Sequence, residues 1–152
     1  MDIINTLNIQ TLKQQYQESG YVVIKDLLRD EVAQAAYEAL RNRVPWEFHY
    51  REMNTGRVGV VDSADLERLT PREVKRLVPP IATLKDNDFS FAYCRFTIPS
   101  RAENCPEPVR ILSDIFRYFN SKEYLSLLAD ITGDTSGREV SSWCSRYDRN
   151  HH

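Results

Sequence analysis

The residues best suited to chemistry lie at the end of the 152-residue chain, where Ser141-Ser142-Trp143-Cys144-Ser145-Arg146-Tyr147 leads into Asp148-Arg149-Asn150-His151-His152. Asp148 with His151 and His152 offers a carboxylate and two imidazoles, donors that suit first-row divalent metals. The spacing alone defines no site, because a built metal centre needs three or four fixed ligands and a supporting shell of hydrogen bonds. Tyr147 places a phenol on the same strand face as Trp143, beside this histidine-rich segment. Arg95 and Arg146 sit within apolar strands, where an unpaired guanidinium is expensive to bury, so each is a candidate for holding a carboxylate. The third histidine, His49, lies far away in the sequence and reads as a structural side chain of an amphipathic strand.

No complete catalytic motif accompanies these residues. The chain has no G-x-G-x-x-G, no G-x-x-x-x-G-K, no G-x-S-x-G and no H-E-x-x-H. Cys94, Cys105 and Cys144 are odd in number and widely spaced, which argues against a disulfide framework or zinc knuckle and for buried thiols.

The elements that must position these groups follow from periodicity. A helix is expected over residues 9–18, with Leu12 and Tyr16 on one face and Gly20 as its stop. Residues 21–25 form a β-branched run that reads as a buried strand. A helix over residues 30–42 carries the stripe Val32, Ala35, Ala36, Ala39 and Leu40, with Asp30 as its cap. Residues 46–51 alternate as a half-buried strand, and Gly56 and Gly59 flank a turn. Thr70-Pro71-Arg72-Glu73 carries a capping box for a helix running to about Val78 and stopping at Pro79-Pro80. Residues 89–98 are the most strand-like stretch, and residues 99–108 form a proline-bearing loop. Two more helices are predicted over 109–120 and 121–131, a turn over 133–137 and a last strand over 140–147. On that strand Ser141, Trp143, Ser145 and Tyr147 share one face.

Composition sets outer limits. An apolar fraction of 41%, a charged fraction of 28% and only 5 glycines describe one globular α+β domain over residues 1–152. A net charge of -2 without a basic patch excludes a global pull on nucleic acid. No apolar run approaches the roughly 18 residues of a membrane span, and no secretory signal opens the chain, so a cytoplasmic protein is expected.

The chain resembles the iron(II)/2-oxoglutarate-dependent dioxygenases of the prolyl-hydroxylase-like type. The similarity begins at Gly20-Tyr21-Val22-Val23-Ile24-Lys25-Asp26-Leu27-Leu28, followed by a helix opening Arg29-Asp30-Glu31-Val32. It continues through Val44-Pro45-Trp46-Glu47-Phe48-His49-Tyr50, Phe89-Ser90-Phe91-Ala92-Tyr93, Phe119-Asn120-Ser121-Lys122-Glu123-Tyr124-Leu125 and Ser145-Arg146-Tyr147.

The resemblance implies a double-stranded β-helix, or jelly roll, of which this chain supplies the amino-terminal helices and first strands. It implies Fe(II) and 2-oxoglutarate as cofactors, with ascorbate as a possible addition, and hydroxylation of a peptidyl or small amino-acid-like substrate. In that family a strand ending in tyrosine leads through a short turn to a His-x-Asp pair, and Tyr147 falls on the tyrosine that hydrogen-bonds 2-oxoglutarate. His151 and His152 then fall in the turn, where Asp148 and Arg149 replace the Pro or Gly often found there. The His-x-Asp pair, the distal histidine and the basic residue that in that family pairs with the far carboxylate of 2-oxoglutarate are absent from these 152 residues. The facial triad leaves iron open positions for the 2-oxo acid and dioxygen, so without it no turnover, metal ligand or catalytic residue is expected of this chain alone. The resemblance thus makes the chain a fragment of the enzyme. Two other readings stand beside it: a non-catalytic α+β module binding a partner through Tyr93, Phe96 and the proline-bearing loop, and a small metalloprotein using Asp148, His151 and His152.

Overall fold

A computed structural model describes residues 2–51, 56–77, 91–99, 101–137 and 139–147. Among these are six α-helices and one four-stranded antiparallel sheet, a mixed α+β architecture. The chain divides into two compact units, one from Met1–Arg43 and Ile98–Ser142, the other from Val44–Thr97 and Trp143–His152.

The first unit is helical. Helix α1 (Ile9–Ser19) starts at Asn8, whose side chain accepts from the Thr11 N–H, and stops at Gly20, whose φ of 75° is the left-handed conformation that ends helices. Helix α2 (Asp30–Asn42) buries Val32, Ala36 and Ala39 of the expected stripe, with Leu40 half-buried, while Ala35, at the edge of that face, is exposed. Asp30 does not cap it: Arg29 is the N-cap residue, with extended backbone and no side-chain capping bond. Asp30 instead lies in the first turn with Glu31, where negative charge complements the helix dipole.

Residues 21–25 do not form the expected strand. Tyr21 is 67% exposed and Val23 70% exposed. Strand propensity needs a partner for its backbone groups, and here the pairing falls elsewhere. The Asn5 N–H donates to the Leu27 carbonyl and the Arg29 N–H to the Ile3 carbonyl, around an isolated Ile4–Leu28 bridge. Asp26 turns the chain into this bridge with φ 51°, and the Asn5 side chain donates to the carbonyls of Asp26 and Leu28.

The proline-bearing loop tightens into two short 3-10 turns, Ala102–Asn104 and Glu107–Val109, with Cys105 and Val109 buried. Helix α5 (Arg110–Phe119) packs against α2 and buries Leu112 and Ser113, the latter donating to the Pro99 carbonyl. Ser121 caps α6 (Lys122–Thr132), which packs against α1. Asn120 then holds the outgoing chain, donating to the Val140 carbonyl at 3.0 Å and accepting from its N–H at 2.8 Å.

The second unit carries the sheet, in the order β2-β1-β3-β4. These strands are β1 (Glu47–Arg51), β2 (Val58–Val61), β3 (Ala92–Thr97) and β4 (Trp143–Arg146). Strand β2 replaces part of the turn expected between Gly56 and Gly59: Gly56 has φ 67°, but Gly59 is a strand residue opposite Tyr50. A Cβ there would lie 2.3 Å from Tyr50 Cζ, so glycine admits the ring over the strand.

Two helices follow β2. Helix α3 (Ser63–Arg68), unforeseen in the sequence, is capped by Asp62, which accepts from the Asp65 N–H. Helix α4 (Pro71–Leu77) has the expected capping box, with the Thr70 N–H and hydroxyl donating to Glu73 Oε2 and the Glu73 N–H returning a bond to Thr70 Oγ1. The predicted stop at Val78 to Pro80 and the strand residues Phe89 and Ser90 lie outside the described residues.

Candidate functional site

Pairing register divides the side chains of the sheet between two faces. Phe48 faces Cys94, and Cys94 faces Arg146. On this side Phe48, Ala92, Cys94 and Phe96 are buried, the apolar half of a two-faced antiparallel sheet. Arg146 belongs here too, its guanidinium 5.2 Å from the Trp46 ring centroid and its Nη2 donating to Cys94 Sγ at 3.5 Å.

The opposite face carries the candidate site. Glu47, Arg95 and Ser145 stand in one cross-strand row, and His49 faces Tyr93 in the next. Tyr147, one residue beyond β4, continues that second row. The His49 and Tyr93 rings stack with centroids 5.9 Å apart, and Tyr93 and Tyr147 with centroids 5.6 Å apart. Three residues remote in sequence thus form one platform across three strands. His49 Nε2 lies 3.2 Å from Glu47 Oε2, which fixes the imidazole at one end. At the other end Tyr147 is 61% exposed, and among the described residues its hydroxyl has no hydrogen-bond partner.

Arg95 stands beside this platform. Its guanidinium lies over the indole of Trp143, 5.0 Å from the ring centroid, while Trp143 is itself 51% exposed. The Nε of Arg95 is buried and, among the described residues, has no hydrogen-bond partner. Glu47, its cross-strand neighbour, is the carboxylate that meets His49 instead.

Of the residues singled out in the sequence, Tyr147, Arg95 and His49 are therefore brought to one face, and Arg146 to the other. His49, read in the sequence as a structural side chain, is paired with Glu47, and the β1–β3 register carries it to Tyr93. Phe96 is 7% exposed on the buried face, which removes it from the partner-binding surface expected of it. Asp148, His151 and His152 lie outside the described residues. Among the described residues no group of three or more His, Cys, Asp or Glu could hold a metal ion.

None of the three cysteines is in a disulfide. Cys94 and Cys105 are buried as expected and Cys144 is half-buried. Burial pushes the thiols of Cys105 and Cys144 above their ordinary value, which keeps both protonated and weakly nucleophilic.

The first unit has a cavity of about 670 Å³, lined among others by Asp2, Ile4, Asn5, Arg29, Tyr118 and Leu127. Its charges are already paired. Arg29 meets Asp2 at 3.3 Å and Glu31 at 2.9 Å, and the Tyr118 hydroxyl donates to Glu123 at 3.4 Å. Burial, with the charge of Glu123, raises the Tyr118 phenol further above neutrality.

No helix among the described residues is long and apolar enough to cross a membrane. No family model matches the chain, no curated protein is significantly similar to it, and no solved structure matches it.

Proposed function

We propose that these residues belong to an Fe(II)- and 2-oxoglutarate-dependent hydroxylase of the prolyl-hydroxylase-like type, acting on a peptidyl or small amino-acid-like substrate once a facial triad that they do not themselves supply completes the site. In this reading the four-stranded sheet is part of a jelly-roll wall, and Tyr147 is the contact this chain makes to the 2-oxo acid. The observation that carries the proposal is the position of Tyr147. Its ring is held by Tyr93 on the open face while its hydroxyl remains accessible, as a phenol must be to donate to a carboxylate oxygen. The mixed α+β architecture with an antiparallel sheet is compatible with it.

Tyr147 supports a contact to the 2-oxo acid, and the described residues offer no set of ligands for the iron. No three metal-ligating side chains converge among them, so no step at the metal is derived from this chain. The test is metal-dependent binding. With Mn(II) standing in for Fe(II), 2-oxoglutarate should raise the melting temperature of a polypeptide that joins these residues to a facial triad, because a ligand of the native state stabilises it. Tyr147→Phe should reduce that rise, and Fe(II) in place of Mn(II) should permit succinate release with a hydroxylatable peptide. Absence of both metal-dependent stabilisation and succinate would overturn the reading.

A second reading is favoured by a different observation. Trp143, Tyr147, Val58 and Val60 are all more than half exposed in the second unit. A non-catalytic module would bind a partner through this open sheet face rather than through Phe96. It predicts that Trp143→Ser weakens partner binding while 2-oxoglutarate and metal leave the melting temperature unchanged.

A further inference from the structure

We infer that Arg95 forms the centre of a carboxylate-binding subsite on the open face of the sheet, with Trp143 as its movable cover. The starting point is a donor without an acceptor. Buried polar groups are nearly always hydrogen-bonded, and a charged one left unmet is costly. Arg95 Nε is buried and unpartnered among the described residues.

The register explains why the protein does not satisfy this group itself. Arg95 faces Glu47 on β1 and Ser145 on β4. Glu47 is the carboxylate that faces Arg95 directly, and its Oε2 lies 3.2 Å from His49 Nε2. No ion pair joins it to Arg95 among the described residues. The guanidinium therefore retains an edge for an acceptor brought from outside.

The chemistry of that edge selects the ligand. A planar guanidinium offers parallel N–H groups that match the two oxygens of a carboxylate, and the side-on pose uses Nε together with one Nη. The Arg95 guanidinium lies over the Trp143 ring, 5.0 Å from its centroid, an aromatic contact that does not itself satisfy the N–H groups. Being 51% exposed, the indole can move aside to admit the acid and then cover its aliphatic part. The ligand is thus a carboxylate on an apolar stem, either a free dicarboxylic acid or an acidic side chain of a peptide. The subsite requires no metal and stands independently of the hydroxylase reading.

The experiment follows the Arg95 Nε–H resonance of the 152-residue protein in ¹H–¹⁵N spectra, assigned through bonds from its own backbone. Glutarate, a glutamate-containing peptide with blocked termini, the neutral isostere glutaramide and sulfate are titrated separately, without metal. The expected result is a saturable shift with glutarate or the peptide and none with glutaramide. A stronger response to glutarate identifies a free acid as the source, and a stronger response to the peptide identifies a side chain. Arg95→Lys, which keeps the charge but lacks Nε, should weaken binding of the responding ligand by at least about tenfold. No shift with either carboxylate overturns the inference, as does an equal response to sulfate or full affinity in Arg95→Lys. Should the variant fail to fold, the wild-type titrations decide alone. Failure here leaves the metal-dependent 2-oxoglutarate test untouched.

Discussion

Tyr147 stacks on Tyr93, with ring centroids 5.6 Å apart and planes inclined by 24°, although it lies beyond the last paired residue of β4. The stack gives the phenol a defined place that its exposed backbone position would not provide. Ring and hydroxyl should therefore separate by mutation. Tyr147→Phe keeps the stack and should change stability by less than about 0.5 kcal/mol, while Tyr147→Ala should cost about 0.5–1.5 kcal/mol. Urea denaturation of the two variants checks this, and equal losses would refute a stack that orients the hydroxyl.

A side chain at Gly59 is expected to displace the Tyr50 ring. An added Cβ would stand 2.3 Å from Tyr50 Cζ, forcing the ring off the strand. Gly59→Ala should destabilise by about 1–3 kcal/mol. In the background of Tyr50→Ala the same change should cost much less, a coupling measurable by a double-mutant cycle.

The buried face of the sheet should be far less tolerant than the open one. Phe48 is 1% exposed, and Phe48→Ala should lose about 3–5 kcal/mol. Val60→Ala, on the exposed side of edge strand β2, should stay within about 0.5 kcal/mol. Comparable losses in thermal melts would contradict the assignment of the two faces.

The capping box at α4 predicts a dependence on acid pH. The hydroxyl and N–H of Thr70 hold the Glu73 carboxylate below its ordinary value of 4.5. A depressed carboxylate stabilises the fold above the unfolded value, and this contribution is lost as pH falls through the lower folded value. Carbon NMR titration should place Glu73 below 4.5, and Thr70→Ala should return it toward that value.

Alkaline pH should act through the thiols. Cys105 and Cys144 are raised above 9.0, so the native state keeps protons that the unfolded chain has released. Their contribution is intact below pH 9.0 and is lost as pH rises toward the folded values. Melts from pH 8 to 10.5 should show a decline that is smaller in a Cys105→Ala, Cys144→Ala double variant.

Local signals carried much of the helical structure in both units. Gly20 stops α1, the stripe Val32, Ala36 and Ala39 is buried in α2, and Thr70 with Glu73 starts α4. These features rest on hydrogen bonds and spacings within a few residues, so the sequence by itself determines them. The same holds for the alternation that puts Trp143, Ser145 and Tyr147 on one side of β4.

Only the tertiary structure decided which strands pair. Residues 21–25 have strand-forming side chains but no ladder, whereas Val58 to Val61, read partly as a turn, gain one from β1. A strand is completed by a partner that may come from anywhere in the chain, and its own residues do not name that partner. For the same reason Arg95 could be recognised in sequence as a charge needing an acceptor, while its unmet Nε depends on Glu47 facing it across the sheet and turning to His49. The chemical types at the candidate site are local properties, and their assembly on one face is a consequence of register.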